Sequence, residues 1–238
     1  MGFLGEAGVV SEFYAYIPLR LVTIIAYCST RISVKGLLLY TICVDSKKRA
    51  NVIRGFFFDL DGTLVNTYEA DYLAYRDAIE EIVGVRIGQD AFAKTHGQEM
   101  KAKLALLVPD ISPTAVPQIA AAKKKHYQKY LELTVVNETL VRFMSECAEH
   151  SVLALVTTAK RDNALAVLQA HDLERYFTHM VFGEDVKASK PDPESYLLAL
   201  SRSGLASDEV IAFEDSESGI EAARAAGIAV IHVEAFAA

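Results

Sequence analysis

The sequence has few cysteines, no long uncharged apolar run and no excess of positive charge, and each absence argues against a class of protein. Its three cysteines, Cys28, Cys43 and Cys147, are odd in number and lie far apart without a CxxC pair. This pattern fits a reducing cytoplasm better than an oxidising compartment. The formal net charge is −7, which disfavours general binding to nucleic acid. Internal repeats and low-complexity tracts are also absent from the sequence.

The first 53 residues contain apolar segments that charged side chains interrupt. The interrupting residues are Arg20, Arg31 and Lys35. No uncharged run therefore reaches the roughly 18 to 20 residues that a membrane-spanning helix needs. Glu6 and Glu12 stand where a secretory signal carries positive charge. We expect residues 1–53 to be an N-terminal extension of unknown role outside the catalytic fold, and membrane attachment is disfavoured.

The remainder of the chain has the composition and the pattern of an α/β protein. Of its 238 residues, 52% are hydrophobic and 23% charged, a balance that allows a buried core. Short apolar runs alternate with helical stretches, which is typical of βα units and a parallel sheet. The predicted strands are 55–58, 151–156, 179–182, 210–213 and 228–233. We expect a Rossmann-like open parallel sheet formed by 54–65 and 136–238, interrupted by a helical domain over 66–135 that contains no predicted strand.

Two helix starts and one helix end can be recognised from capping residues. Ser218 stands three residues before Glu221, a spacing that predicts a capping box. Gly227 follows the same helix and is expected just beyond its C-terminus. Asp192 is the predicted N-cap of another helix, with Pro193 at its first position. Both helices start directly after polar loops, so their N-termini carry partial positive charge toward whatever those loops bind.

The segment RGFFFDLDGTLV, residues 54 to 65, places two carboxylates after a buried strand. Side chains at i and i+2 of a strand point the same way, so Asp59 and Asp61 are expected to project together from its C-terminal end. Ligands bind at that end of the strands in α/β sheets. Two carboxylates this close repel each other unless one takes a proton or a cation lies between them. A hard divalent cation with oxygen ligands fits best, and the segment predicts a Mg²⁺ site.

Further polar residues follow the other predicted strands. They are Thr157, Thr158, Lys190, Glu214 and Asp215. Because strand ends meet at one edge of a parallel sheet, these side chains can converge on the two aspartates. Acids that hold Mg²⁺, together with a lysine, a hydroxyl and backbone N–H groups that orient phosphoryl oxygens, describe a phosphate site.

Each of these assignments has a purely structural alternative. Thr157 and Thr158 can simply end a strand with β-branched residues, and Asp215 can be an acid at a helix start. Lys187 competes with Lys190 for the phosphate. We favour Lys190 because Pro191 forces an extended backbone at the residue before it.

The motifs FFFDLDGTL, LVTTAK, KASKPDP and FEDSESGIEAARAAG, in this order, resemble the four motifs of the haloacid dehalogenase superfamily. The resemblance covers residues 56 to 233, and the helical insertion lies where the cap domain lies in the phosphatase and β-phosphoglucomutase branch. It implies a Mg²⁺-dependent phosphatase that hydrolyses a small phosphorylated metabolite, such as a sugar phosphate, through an aspartyl-phosphate. The alternative is a β-phosphoglucomutase-like sugar phosphomutase.

The resemblance also implies a role for each motif residue. Asp59 is the expected nucleophile and a metal ligand through its other oxygen. Asp61 is the expected general acid and then base, with its backbone carbonyl on the metal. Thr157 binds the phosphoryl group and Lys190 pairs with it. Asp215 is the remaining carboxylate ligand, with Glu214 at or behind the metal.

The segment KTHGQEMKAKL, residues 94 to 104, aligns with the cap loop that enters the active site in the β-phosphoglucomutase group. Met100 stands where an arginine of that group grips the second phosphate of the substrate, which weakens the mutase hypothesis. The candidate substrate contacts are His96, Gly97, Gln98 and Lys101. The basic run Lys123 to Lys125, followed by His126, is expected to be a solvated helix face.

Two further functions remain open besides the mutase. A receiver-like signalling module also uses Asp, Mg²⁺, Thr and Lys, but it lacks the second acid of the DxD motif and the large helical insertion. A dehalogenase uses a lone Asp without Mg²⁺, so the DxD motif argues against it. The sequence leaves the substrate and the oligomeric state undetermined.

Overall fold

The computed structural model describes residues 52–95, 98, 100–234 and 236. The predicted N-terminal extension lies outside the described residues except for its last two positions. Every helix in the described part of the chain is too short or too polar to cross a membrane.

The main sheet has five parallel strands in the order β5-β4-β1-β6-β7. The strands are β1 (Gly55–Phe58), β4 (Val152–Val156), β5 (His179–Val181), β6 (Val210–Glu214) and β7 (Ala229–His232). All five predicted strands are present, which confirms the α/β, Rossmann-like fold class. Their ends differ from the prediction by one residue at most. The difference that matters is in β6, which continues through Glu214 and so places that carboxylate inside the sheet.

The sheet is covered by helices on both faces, as the all-apolar β1 requires. Phe56 and Phe58 belong to one apolar cluster and Phe57 to the other. The helices outside the insertion are α5 (Glu138–Cys147), α6 (Arg161–Ala170), α7 (Glu194–Ser203) and α8 (Glu217–Ala225). Because successive strand residues point to opposite faces, three consecutive phenylalanines fill both layers of the core.

The helical insertion contains α1 (Tyr68–Val83), α2 (Gln89–Ala93), α3 (Met100–Leu107) and α4 (Ala115–Lys129). It has its own apolar cluster, which includes Ile79, Phe92, Leu104 and Ile119. Two short strands that the sequence did not predict lie at its ends. These strands, β2 (Val65–Asn66) and β3 (Val135–Val136), pair antiparallel. The chain thus leaves the sheet and returns to it through one narrow two-stranded connection.

The predicted helix termini are partly correct. Gly227 lies just beyond α8 with φ +79°, as expected for a glycine at that position. The capping residue of α8 is Ser216, however, and the prediction of Ser218 is wrong. Ser216 has an extended backbone, and its side chain accepts a hydrogen bond from the Gly219 amide. At α7 the cap position is Pro193, one residue later than predicted, while the preceding Asp192 Oδ1 accepts from the Glu194 amide at 2.9 Å.

Candidate active site

The candidate site lies at the carboxyl ends of β4, β1 and β6, which are neighbours in the sheet. Asp59 directly follows β1, and its amide donates to the Phe213 carbonyl at 3.0 Å. This bond extends the β1–β6 ladder by one residue and fixes where the carboxylate emerges. Asp59 is 7% exposed.

Lys190 lies at the centre of the site with its ammonium fully engaged. Its Nζ donates to Asp59 Oδ1 at 2.6 Å, to Glu214 Oε1 at 2.6 Å and to the Val156 carbonyl at 2.9 Å. An ammonium has three N–H donors, so these three acceptors satisfy it. The competing Lys187 is exposed, and its backbone amide donates to Glu194 Oε2 at 3.0 Å. The structure therefore brings Lys190, and not Lys187, to the two acids.

Glu214 is fully buried, and only one of its two carboxylate oxygens has hydrogen-bond partners among the described residues. Its Oε1 accepts from Lys190 and from the Tyr196 hydroxyl, whereas Oε2 has no hydrogen-bond partner among the described residues. A β-carbon on Gly219 would lie 2.1 Å from Oε2, so the carboxylate fits only because that residue is glycine. Sequence reasoning missed both Tyr196 and Gly219, since nothing in their local patterns links them to Glu214.

A second glycine and a threonine of the DxDGT motif position Asp215. Thr63 Oγ1 donates to Asp215 Oδ1 at 2.9 Å. Gly62 has φ +90°, and a β-carbon there would lie 2.1 Å from Asp215 Oδ2. The turn after β1 thus holds an acid that is more than 150 positions away in sequence.

The carboxylates of Asp59, Glu214 and Asp215 form an acidic cluster in which one oxygen from each lies within 4.8 Å of the others. Three carboxylates and the single ammonium of Lys190 give this centre a formal charge of −2. Carboxylate oxygens are the ligands that Mg²⁺ prefers, and the unpaired, buried Oε2 of Glu214 offers one more lone-pair site. The residues present therefore fit a divalent cation in both charge and donor type.

The pKa values of the cluster reflect this charge balance. Burial raises the pKa of Asp59 well above its ordinary value, and the charges of Glu214 and Asp215 raise it further against the opposing effect of Lys190. Burial alone lowers the pKa of Lys190, but Asp59 and Glu214 outweigh it and the net pKa is raised. Lys190 therefore stays protonated. Its single positive charge cannot neutralise all three carboxylates of the cluster.

Asp61 does not join this cluster through its side chain. Its Oδ1 accepts from Thr67 Oγ1 at 2.5 Å. The expectation that Asp59 and Asp61 project together stays a prediction. The strand β1 ends at Phe58, so both aspartates lie in the segment that follows it. Burial raises the pKa of Asp61, while its hydrogen bond from Thr67 lowers it.

The predicted phosphate-binding threonines differ in environment. Thr157 is 2% exposed, its amide donates to the Val181 carbonyl at 3.0 Å, and its Oγ1 accepts from the Ala159 amide at 3.0 Å. Thr158 is exposed. Thr157 directly follows β4, beside Asp59 after β1, whereas Thr158 turns toward solvent.

The predicted substrate contacts of the cap stay predictions. His96 and Gly97 lie outside the described residues. Gln98 is exposed, and its amide donates to the Thr95 carbonyl at 3.2 Å. Lys101 is exposed on the first turn of α3.

The expectation of a solvated basic face on α4 is wrong for Lys123 and for His126, which are 7% and 8% exposed. Only Lys124 and Lys125 of the run face solvent. Residues three apart share one face of a helix, so a run of adjacent charges cannot all lie on the same side. Lys123 is buried because the Asp71 carboxylate pairs with it.

The comparisons with known proteins show the family to which the chain belongs. The family model of the haloacid dehalogenase-like hydrolases matches residues 56–233. The chain is 34% identical over 180 residues to a phosphorylated carbohydrates phosphatase of Thermotoga maritima, covering 74% of this chain and 82% of the relative. It is 29% identical over 183 residues to the fructose-1-phosphate phosphatase of Escherichia coli strain K12, covering 75% and 95% of the two chains.

A solved structure shows the same fold. The structure of CbbY from Rhodobacter sphaeroides in complex with phosphate matches with a TM-score of 0.68 and 24% identity, covering 74% of this chain and 84% of that one. The match of the family model over most of the chain confirms the resemblance seen in the four motifs. The chain belongs to the haloacid dehalogenase-like hydrolases.

Proposed function

We propose that this protein is a Mg²⁺-dependent phosphatase that hydrolyses a small phosphorylated metabolite through a phosphorylated Asp59. The observation that carries the proposal is the arrangement around Asp59. Its carboxylate follows the central strand, pairs with the Lys190 ammonium at 2.6 Å and lies beside Glu214 and Asp215 in one acidic cluster. The relatives are named phosphatases of phosphorylated sugars, which supports the same substrate class here.

Asp59 is the nucleophile in this proposal. One of its carboxylate oxygens attacks phosphorus, the bond from phosphorus to the ester oxygen breaks, and an aspartyl-phosphate forms. Lys190 limits the accumulation of negative charge by staying protonated beside both Asp59 and the phosphoryl oxygens. Thr157 contributes a hydroxyl hydrogen that remains free to donate, since its oxygen accepts from Ala159.

Asp61 is the proton carrier. Its raised pKa suits a group that must be protonated when the ester binds. It gives that proton to the leaving alkoxide, and the resulting carboxylate then takes a proton from the water that attacks the aspartyl-phosphate. Thr67 holds the carboxyl in place through Oδ1, and Thr67 also directly precedes α1 of the insertion.

The metal would be held by carboxylate oxygens of Asp59, Glu214 and Asp215 and by the backbone carbonyl of Asp61. When bound, Mg²⁺ neutralises and orients the phosphoryl oxygens. The helical insertion, residues 66–135, would serve as the cap that covers the aspartyl-phosphate, with Gln98, Lys101 and the loop containing His96 and Gly97 near the leaving group. Its single two-stranded connection to the sheet allows such closure. We propose a cytoplasmic location because the three cysteines are odd in number and far apart in sequence, a pattern that fits a reducing compartment.

The direct experiment measures inorganic phosphate released from sugar, nucleotide and glycolate phosphates with Mg²⁺ and with EDTA. We expect turnover with Mg²⁺ and its loss with EDTA. Asp59→Asn should abolish turnover, while Asp110→Asn, a matched change at an exposed position, should retain it. Phosphate release by Asp59→Asn at the wild-type rate would refute the assignment of the nucleophile.

The same assay separates the rival functions. A sugar phosphomutase would convert a hexose phosphate into its isomer without releasing phosphate, which product analysis detects. A receiver-like module would hold its phosphoryl group for many minutes without turnover.

A further inference from the structure

Two lysines of the insertion are buried around a single aspartate. Lys103 Nζ lies 3.3 Å from Asp71 Oδ2, and Lys123 Nζ lies 2.7 Å from Asp71 Oδ1. The lysine side chains are 11% and 9% exposed. We call Asp71, Lys103 and Lys123 the cationic cluster, because two ammonium groups and one carboxylate leave a formal charge of +1.

Aromatic ring faces line this cluster. The ammonium of Lys103 lies 4.9 Å from the ring centroid of Tyr75 and 4.6 Å from that of Phe92. The ammonium of Lys123 lies 5.2 Å from the Tyr75 centroid and 4.3 Å from that of Tyr127. Ring faces attract cations, and they lower the cost of burying charge without supplying an anion.

The ammonium groups also keep unused hydrogen-bonding capacity. Each has three N–H donors, and Asp71 is the one carboxylate that pairs with either of them in the described part of the chain. Burying an unbalanced charge is costly unless a counter-charge completes it. The cluster is therefore complementary to one more anion.

The cationic cluster adjoins the reacting centre on the side of the general acid. The Asp71 amide donates to the Thr67 carbonyl at 2.8 Å, one helical turn away, and the Thr67 hydroxyl binds Asp61. Lys123 pairs with Asp71 at 2.7 Å, so the cluster is joined to Asp61 through Thr67. Asp61 faces the leaving group in the proposed reaction, and the cluster therefore lies next to the general acid.

We propose that Lys103 and Lys123 select substrates whose leaving group carries a second anion, either a carboxylate or a second phosphate. The inference rests on the proposed phosphatase function and narrows its substrate class. Asp71 neutralises one of the two ammonium groups, so the remaining +1 charge has no further carboxylate partner in the described part of the chain. An anionic leaving group supplies that partner, whereas a neutral one leaves the excess charge buried beside it.

The test compares two pairs of phosphate esters that differ in the second anion. The first pair is 2-phosphoglycolate and 2-hydroxyethyl phosphate, which share a two-carbon skeleton and differ in a carboxylate. The second pair is fructose 1,6-bisphosphate and fructose 1-phosphate, which differ in a phosphate. For each pair we measure kcat/KM with Mg²⁺ present. The quantity compared is the ratio of kcat/KM for the ester with the anionic leaving group to that for the ester with the neutral leaving group.

We expect the wild type to favour the anionic member of at least one pair by about tenfold or more, the effect of one charge-assisted hydrogen bond. The pair that shows the preference identifies the anion. Lys103→Met and Lys123→Met should each lower that ratio by about tenfold. Lys125→Met removes the same charge from an exposed position of α4 and should leave the ratio within about twofold.

Asp71→Asn provides a test in the opposite direction. It raises the formal charge of the cluster from +1 to +2, and the preference for the anionic ester should rise, by about threefold or more. A merely structural role for the ion pairs predicts that Asp71→Asn and the two lysine variants lose activity on both esters in proportion, with no change in the ratio.

The outcomes separate this inference from the proposed function. If no phosphate ester of the wider screen, these four included, releases phosphate, the phosphatase proposal itself fails. If other esters are hydrolysed but none of these four is, the selection by Lys103 and Lys123 is refuted. If the esters are hydrolysed but the ratio is near one for both pairs in the wild type, or does not change in the lysine variants, the selection by Lys103 and Lys123 is refuted.

Discussion

Removing the central ammonium is the perturbation that tests the electrostatics of the site most sharply. Lys190→Met keeps the length of the side chain but leaves Asp59 and Glu214 without their cation. Both acids are buried, with side chains 10% and 0% exposed. Removing one partner of a buried ion pair costs about 3–5 kcal/mol of the free energy of unfolding, because an uncompensated charge remains.

The expected loss of thermal stability follows from this range. For a chain of this size each kcal/mol corresponds to about 2–4 °C in Tm, so Lys190→Met should unfold about 6–20 °C lower than the wild type. The measurement is thermal unfolding by circular dichroism in EDTA at pH 8. Lys187→Met, at an exposed position three residues away, is the matched control and should remain within about 2 °C of the wild type.

The loss of thermal stability in Lys190→Met should depend on Mg²⁺ and on pH. In the proposed site Mg²⁺ binds the acidic cluster of the folded state, so adding Mg²⁺ should recover part of the lost stability. Without Lys190, burial and like charge keep the pKa of Asp59 above its unfolded value. The folded state then binds more protons than the unfolded state, so this contribution to stability is present at low pH and lost as pH rises. The difference in Tm between the wild type and Lys190→Met should therefore be smaller at pH 5 than at pH 8. Equal melting temperatures for Lys190→Met and Lys187→Met would refute the reasoning.

Two further variants test the packing around the site. Gly219→Ala should destabilise the fold by more than about 2 kcal/mol in chemical denaturation and impair turnover, because its β-carbon would lie 2.1 Å from Glu214 Oε2. Gly88→Ala, where a β-carbon meets nothing within 4 Å, should be neutral or slightly stabilising. Ser216→Ala should cost about 1 kcal/mol of unfolding free energy through loss of the α8 cap, whereas Ser218→Ala should change it by less than about 0.5 kcal/mol. The reverse order for the two serines would contradict the observed cap.

The parts of the fold that sequence reasoning predicted are those in which local pattern and burial coincide. A strand buried on both faces must be apolar throughout, and the run of phenylalanines before Asp59 shows this directly. The strands β2 and β3 were missed because two residues are too few to show an alternation. Ser218 fits the capping-box spacing to Glu221, but the backbone conformation of the folded chain places the cap at Ser216.

The parts of the site that were missed depend on contacts between distant segments. Tyr196 looks like an ordinary apolar position of α7, yet its hydroxyl binds Glu214. Lys123 belongs to a basic run that is typical of a solvated helix face. Its side chain is nevertheless buried, because its ammonium pairs with the Asp71 carboxylate on another helix. Charge patterns along one helix show which residues share a face. They do not show whether an oppositely charged residue of a neighbouring helix lies against that face.

The most direct measurement of the central claim is the position of the phosphoryl group during turnover. In the proposed mechanism Asp61→Asn lacks the carboxylate that activates water, so the phosphorylated protein should accumulate when this variant is mixed with substrate and Mg²⁺. Acid-quenched peptide mass spectrometry should then find one phosphoryl group per chain on Asp59, and none in EDTA or in the double variant that also carries Asp59→Asn. A phosphoryl group on any other residue, or turnover by Asp61→Asn at the wild-type rate, would contradict the account.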